Sequence, residues 1–337
     1  MINTPTVFIL GAGSNTNYGL PSGKELVDEI CRPINRISFN DPKETTLSSE
    51  QLIKNYGIDP CAYQTFQKEL IESRLSVDLF IENRPEFDEI GRKAIAINLL
   101  KCEISDRLFW GEWQYLHFEN KRGKQGSESW YDLLWSHLTS PFTFDNFSNN
   151  KLAIITFNYD RSLEHFLFTA LRRSSGKTDI ECSDAVKTIR ILHVYGSLGP
   201  LPWQDASGVP YDSQASTTAV TSSQQHIRLI RSNEHKDSSP ELEEAHRLLE
   251  KAARVFILGF GFDYTNIRRL KLPQLLRDKE VWATSLGLSK SVKEVIIKGL
   301  HLRRVRAQTK DVGGIVDSDY LIDCTVYALL QNIVSIY

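Results

Sequence analysis

Val7-Phe8-Ile9-Leu10-Gly11-Ala12-Gly13-Ser14-Asn15 decides the fold. Four uninterrupted apolar residues suit a short strand that is buried on both faces, the pattern of a parallel sheet. The glycines that follow permit a tight turn and a close backbone approach. Downstream, Leu26, Val27 and Ile30 recur at helical spacing, with Lys24, Glu25, Asp28 and Glu29 on the other face, so a helix is expected near residues 23–31. Strand, glycine loop and helix open a nucleotide-binding α/β unit, in which backbone N–H groups and the helix N-terminus face a pyrophosphate. Gly-x-Gly alone is a weak signal, because many strand-to-helix turns carry two glycines for steric reasons.

The rest of the chain repeats this grammar. Apolar runs at residues 151–156, 189–194, 255–258 and 281–285 read as further strands. Helices are expected at residues 162–173, at 240–254 behind a Ser239 cap with Pro240 in the first turn, and at 321–334. Residues 35–46 read as a linker and residues 120–129 as an exposed loop. Residues 204–226, rich in Ser, Thr and Gln, read as a mobile surface loop. Between Leu47 and Leu138 the apolar spacing is helical, and Trp110, Trp113, Trp130 and Trp135 read as helix-packing core. The expected architecture is α/β: one Rossmann-like parallel sheet with helices on both faces, built from residues 1–36 and 148–337. A large helical subdomain is inserted at residues 45–140. Ligands of such sheets sit beyond the carboxyl ends of the strands. That gathers Gly11–Pro21, Asn158, Asp160, His193 and Gly259–Asp263 along one edge.

Composition removes several classes. Forty Lys and Arg against 42 Asp and Glu give a net charge of −2, so no direct nucleic-acid binding is expected of the whole surface. No apolar run approaches the roughly 20 residues of a membrane span, and no signal peptide opens the chain. Five scattered cysteines without a Cys-x-x-Cys pair offer no thiolate zinc site and fit a reducing cytoplasm. His226, His235 and His246 are too irregularly spaced for a convincing metal site, and no metal is expected.

The wider motif carries more than the glycines. Gly11-Ala12-Gly13-Ser14-Asn15-Thr16-Asn17-Tyr18-Gly19-Leu20-Pro21 resembles the first sirtuin motif, GAGxSxxxGIP, with glycines and proline at that spacing. Thr156-Phe157-Asn158-Tyr159-Asp160 resembles the sirtuin TQNxD motif, and Leu192-His193-Val194-Tyr195-Gly196-Ser197 the region of its catalytic histidine. Val255–Asp263 lies where sirtuins carry a later glycine turn. The four matches fall in family order over almost the whole chain. There are departures. The four zinc cysteines of deacylase sirtuins are missing, Ser22-Gly23-Lys24 stands where they carry Asp-Phe-Arg, and Tyr195 holds the place of a histidine directly before the glycine. The sequence is more similar to bacterial sirtuin-like proteins with Gly-Leu-Pro-Ser-Gly and Thr-Phe-Asn-Tyr-Asp.

That resemblance implies a regulated NAD hydrolase of anti-phage defence, working as a homo-oligomer or with a separate partner such as a HerA-type ATPase. It implies NAD contacts from Gly11, Ala12, Gly13, Ser14, Asn15, Gly19 and Pro21, and from Thr156, Gly196, Gly259 and Gly261. Catalytic roles fall to Asn158, Asp160 and His193. Breaking the nicotinamide–ribose bond passes through an oxocarbenium-like state, so a site need only orient the substrate, stabilise charge and place a water. Asn158 can bond a ribose hydroxyl or that water, Asp160 can hold the carboxamide, and His193 can act as base near neutral pH. Strand alternation puts residues 193 and 195 on one face, so His193 rather than Tyr195 is expected to supply the base. Structural alternatives stand beside these: Asp160 as a cap of the helix that follows, His193 as a core group. Two other functions remain open: a non-catalytic NAD- or ADP-ribose-binding subunit, and a zinc-free deacylase or ADP-ribosyltransferase.

Overall fold

The computed structural model of the chain describes residues 1–34, 48–109, 129–141, 143–228, 239–300, 305–308, 315–318 and 321–333. Its first five strands are β1 (Thr6–Leu10), β2 (Leu152–Thr156), β3 (Arg190–His193), β4 (Arg254–Leu258) and β5 (Glu280–Thr284). Next come β6 (Val305–Gln308) and β7 (Ile315–Ser318), which pair antiparallel on their own, and then β8 (Leu321–Ile322). The main sheet is six-stranded and parallel throughout, in the order β3-β2-β1-β4-β5-β8. The chain walks outward from β1 to β3, then returns to place β4 on the other side of β1. Crossovers therefore diverge between β1 and β4, the switch point at which doubly wound sheets open a crevice. The expected Rossmann-like α/β fold is the fold observed.

Strand alternation sorts the core into two layers. Val7, Ile9, Val255 and Ile257 face one side, against the helices Gly23–Ile30, Pro60–Ser73, Val77–Asn83 and Asp88–Leu100. Phe8, Leu10, Phe256 and Leu258 face the other, against Trp130–Thr139 and Ser162–Ser175. The inserted sequence thus covers both faces, Ser105–Phe109 and Trp130–Thr139 lying opposite the helices named first. Ser48, Asp59, Ser76 and Ser129 each start one of its helices by accepting a first-turn N–H. Among its described aromatic residues, Phe66, Trp130 and Tyr131 are 0% exposed. Each such burial contributes about 1.5–3 kcal/mol. Trp110 and Trp113, the 35–46 linker and most of the 120–129 loop lie outside the described residues.

Three expectations are corrected. Residues 204–226 are not a mobile loop throughout, because Thr217–His226 is a helix whose Ala219, Val220 and Ser223 are buried beside Asp88–Leu100. Only those few small residues carry its contact face, so the apolar periodicity is faint. The expected terminal helix gives its first residues to β8, and helical structure starts only at Val326. Finally, β3 stops at His193, and a turn at residues 194–195 breaks the alternation. His193 then lies on the side of Ser162–Ser175 and Tyr195 in the opposite layer. Among the described residues no helix is long and apolar enough to cross a membrane.

Candidate active site

The two glycine loops meet at the switch point. Gly13 N–H donates to the Gly259 carbonyl at 3.0 Å and Gly11 N–H to that of Leu258 at 3.0 Å. Gly259 needs its glycine twice over. Its φ is +58°, and a Cβ there would fall 2.0 Å from the Ser14 nitrogen. A Cβ on Gly13 would sit 2.9 Å from the Gly259 oxygen, so these glycines first serve the contact between loops. Trp130 pins the same loop from the other layer, its Nε1 donating to the Ser14 carbonyl at 2.7 Å.

A cleft of about 700 Å³ opens over this seam. Its floor includes Gly11, Ala12, Gly13, Ser14, Gly259 and Gly261, and its far end runs past Thr284 and Ser285 to Thr325 beyond β5 and β8. Phe157, Phe260 and Tyr195 give it an aromatic side, with ring centroids of Phe157 at 5.2 Å from Phe260 and 5.5 Å from Tyr195. The size, the aromatic side and the many polar groups suit a nucleotide-sized ligand.

The remaining expected site residues stand elsewhere. Behind the glycine loop, Asp160 accepts from Asn15 Nδ2 at 3.1 and 3.0 Å, from the Ser162 N–H at 3.1 Å and from the Ser162 hydroxyl. It therefore does serve the start of the helix that follows. Burial raises its pKa, against those bonds. Thr156 Oγ1 accepts the Asn158 N–H, and Asn158 Nδ2 reaches the Gly11 carbonyl at 3.3 Å and Ser14 Oγ at 3.4 Å. Asn158 Oδ1 is buried and has no hydrogen-bond partner among the described residues. His193 uses both ring nitrogens, Nδ1 on the Asn158 carbonyl at 2.7 Å and Nε2 on Glu164 Oε1 at 2.6 Å. Burial pulls its pKa down, but the Glu164 carboxylate and these bonds outweigh burial and leave it raised. None of Asn15, Thr156, Asn158, Asp160 and His193 lines the cleft. Gly19 and Pro21 line a neighbouring pocket with Arg107, and Gly196 bridges to Ile227.

The cleft holds a second polar cluster that sequence reasoning missed. Asp78 and Glu82 stand one turn apart on Val77–Asn83 and line it. The Tyr159 hydroxyl donates to Asp78, and Arg269 Nη2 pairs with Glu82 Oε1 at 2.9 Å. Arg269 Nη1 donates to the Tyr195 hydroxyl at 2.8 Å, which in turn donates to Asn266 Oδ1. Burial raises Asp78, opposed by the Tyr159 bond and Arg269. It also raises the Tyr195 phenol, opposed by Arg269. The available signal was a pair of carboxylates at i, i+4 in an otherwise apolar helix.

No protein-family model matches the chain, and no curated protein matches it. Among the described residues no group of three or more His, Cys, Asp or Glu is arranged to hold a metal ion.

Proposed function

We propose that the chain binds NAD in the cleft over the β1–β4 switch point and hydrolyses its nicotinamide–ribose bond. The observation that carries this reading is the cleft itself. A glycine-on-glycine floor at the ligand edge of a doubly wound sheet leads to a wall bearing two carboxylates, Asp78 and Glu82. Nicotinamide departs as a neutral molecule, so the reaction needs no strong acid. It needs negative charge near the developing oxocarbenium ion and an acceptor for the proton of the attacking water. Asp78 suits both tasks, since a carboxylate with a raised pKa is a better base than an ordinary one. Tyr195, held between Arg269 and Asn266, orients the ribose. Asn158, Asp160 and His193 act from behind the loop, by fixing its shape. Work in phage defence, self-assembly and a partner ATPase rest on the sequence resemblance alone.

A second reading, a nucleotide-binding subunit without turnover, is favoured by one fact. Both nitrogens of His193 are engaged inside the protein. One assay separates the readings. The full chain is incubated with NAD, with and without an acetylated peptide, and nicotinamide and ADP-ribose are followed. Peptide-independent release is expected. Asp78→Asn should lower kcat by about 100-fold or more while NAD still binds, as removal of one electrostatic group at a reacting centre does. NAD binding without release supports the second reading, release only with peptide supports a deacylase, and no binding ends all three.

A further inference from the structure

A dinucleotide brings two negative charges on its pyrophosphate, and the cleft must answer them. Much of the glycine loop is already engaged. The N–H groups of Gly11, Gly13, Ser14 and Asn15 donate to Leu258, Gly259, Gly11 and Ala12 carbonyls, and Gly259 N–H donates to Thr284 Oγ1 at 2.8 Å. The helix Gly23–Ile30 already carries an acid at its N-terminus. Glu25 accepts the Ser22 N–H at 2.8 Å, and that bond lowers its pKa. Among the described residues, two cations line the cleft, Arg74 and Arg269. Arg269 is committed to Glu82 and Tyr195, and its side chain is 2% exposed.

Arg74 differs on every count. It is exposed, and its guanidinium makes no hydrogen bond or ion pair with a described residue. Its backbone ends the helix Pro60–Ser73 at φ 58°, ψ 17°, a left-handed position that glycine fills at lower cost. Strain held by a side-chain-bearing residue at a cleft wall points to use of that side chain. Arg74 also begins the stretch that continues through Ser76 to Asp78 and Glu82, so it shares a wall with the two carboxylates. Arginine matches phosphate oxygens with two parallel N–H groups.

We propose that Arg74 anchors the pyrophosphate, so that the cleft selects dinucleotides and nucleoside diphosphates over nucleosides. The proposal rests on the NAD reading. It assigns phosphate recognition to the inserted helices and leaves the glycine loop the work of shaping the floor.

The test measures binding of ADP-ribose and ADP by calorimetry, and of adenosine by ligand-observed NMR, to the full chain and to Arg74→Gly and Arg74→Lys. Arg74→Gly relieves the left-handed strain, so its thermal midpoint should hold or rise. It should weaken ADP-ribose and ADP by about tenfold or more and leave adenosine unchanged, with Arg74→Lys in between. Equal ADP-ribose affinity in Arg74→Gly and wild type refutes the anchor and spares the NAD reading. A parallel loss of adenosine refutes it as well, because the residue would then be shaping the cleft. A wild-type chain that binds neither ADP-ribose, ADP nor adenosine removes the NAD reading and the anchor with it.

Discussion

Behind the glycine loops, Asn15, Asn158, Asp160, Ser162, Glu164 and His193 hydrogen-bond to one another and to backbone, out of the cleft. In front of them, Glu82, Arg269, Tyr195 and Asn266 are bonded in a chain and Asp78 accepts from Tyr159, but all five line the cleft. The rear cluster comes largely from strand ends and the turns just after them. The front cluster is collected from three distant segments, residues 78–82, 195 and 266–269. A polar residue after a strand can thus be retained for the loop it braces, whereas the groups that border the cleft are brought there by segments far apart in the sequence.

The largest expected effect tests the rear cluster as a brace. Asp160→Ala strands the Ser162 N–H in a buried space and takes the carboxylate from Asn15 Nδ2 and the Ser162 hydroxyl, which keep each other and Tyr131. It should cost about 3–5 kcal/mol in denaturant unfolding. A loss under about 1 kcal/mol would mean that water or movement satisfies these donors and that Asp160 is free for a ligand.

A smaller effect sharpens the contrast. His193→Gln keeps a donor and an acceptor near Glu164 and the Asn158 carbonyl. It should lower stability by about 1–2 kcal/mol and keep nicotinamide release within about tenfold of wild type. A folded but inactive His193→Gln protein would return the base to His193 and make the observed ring position a resting one.

Much of this arrangement was legible in the sequence, and the gaps have physical causes. β1, β2 and β4 were found within about a residue, because both-face burial leaves an uninterrupted apolar run. The helix Gly23–Ile30 showed in the spacing of Leu26, Val27 and Ile30, and the structure adds a capping box of Ser22 and Glu25 at its start. The edge strand β8 has two residues, too few for any period, and was absorbed into a helix. The relation of His193 to Tyr195 was misjudged because alternation holds only while the strand continues, and nothing in Val194-Tyr195 marks a turn. Asp78 and Glu82 were overlooked because their helix looked like ordinary packing. Charge on an inserted helix gains meaning only when the sheet edge it faces is known.

A further expected effect concerns pH. His165 stacks on Tyr211 at 4.2 Å, and burial lowers its pKa to about 4, which Asp212 opposes. The native ring binds its proton less readily than the unfolded one, whose pKa is about 6.5. Its contribution is therefore complete above pH ~6.5 and shrinks as pH falls toward ~4, at up to about 1.4 kcal/mol per pH unit. Subtracting the stability of His165→Phe from that of wild type across this range should isolate the slope. A flat difference would show that the ring titrates normally.

Arg161 adds a constraint on how the chain can be cut. Its side chain is 1% exposed and is held by Glu103 of the inserted segment. It also donates to the carbonyls of Pro200 at 3.3 Å and Val209 at 2.7 Å. One guanidinium therefore bolts together three stretches of polypeptide more than a hundred residues apart at their extremes. Trimming the insertion to obtain a minimal nucleotide-binding unit would leave that cation in an apolar interior with its carboxylate gone. A workable excision must replace Arg161 in the same step, with a neutral side chain of similar length such as methionine.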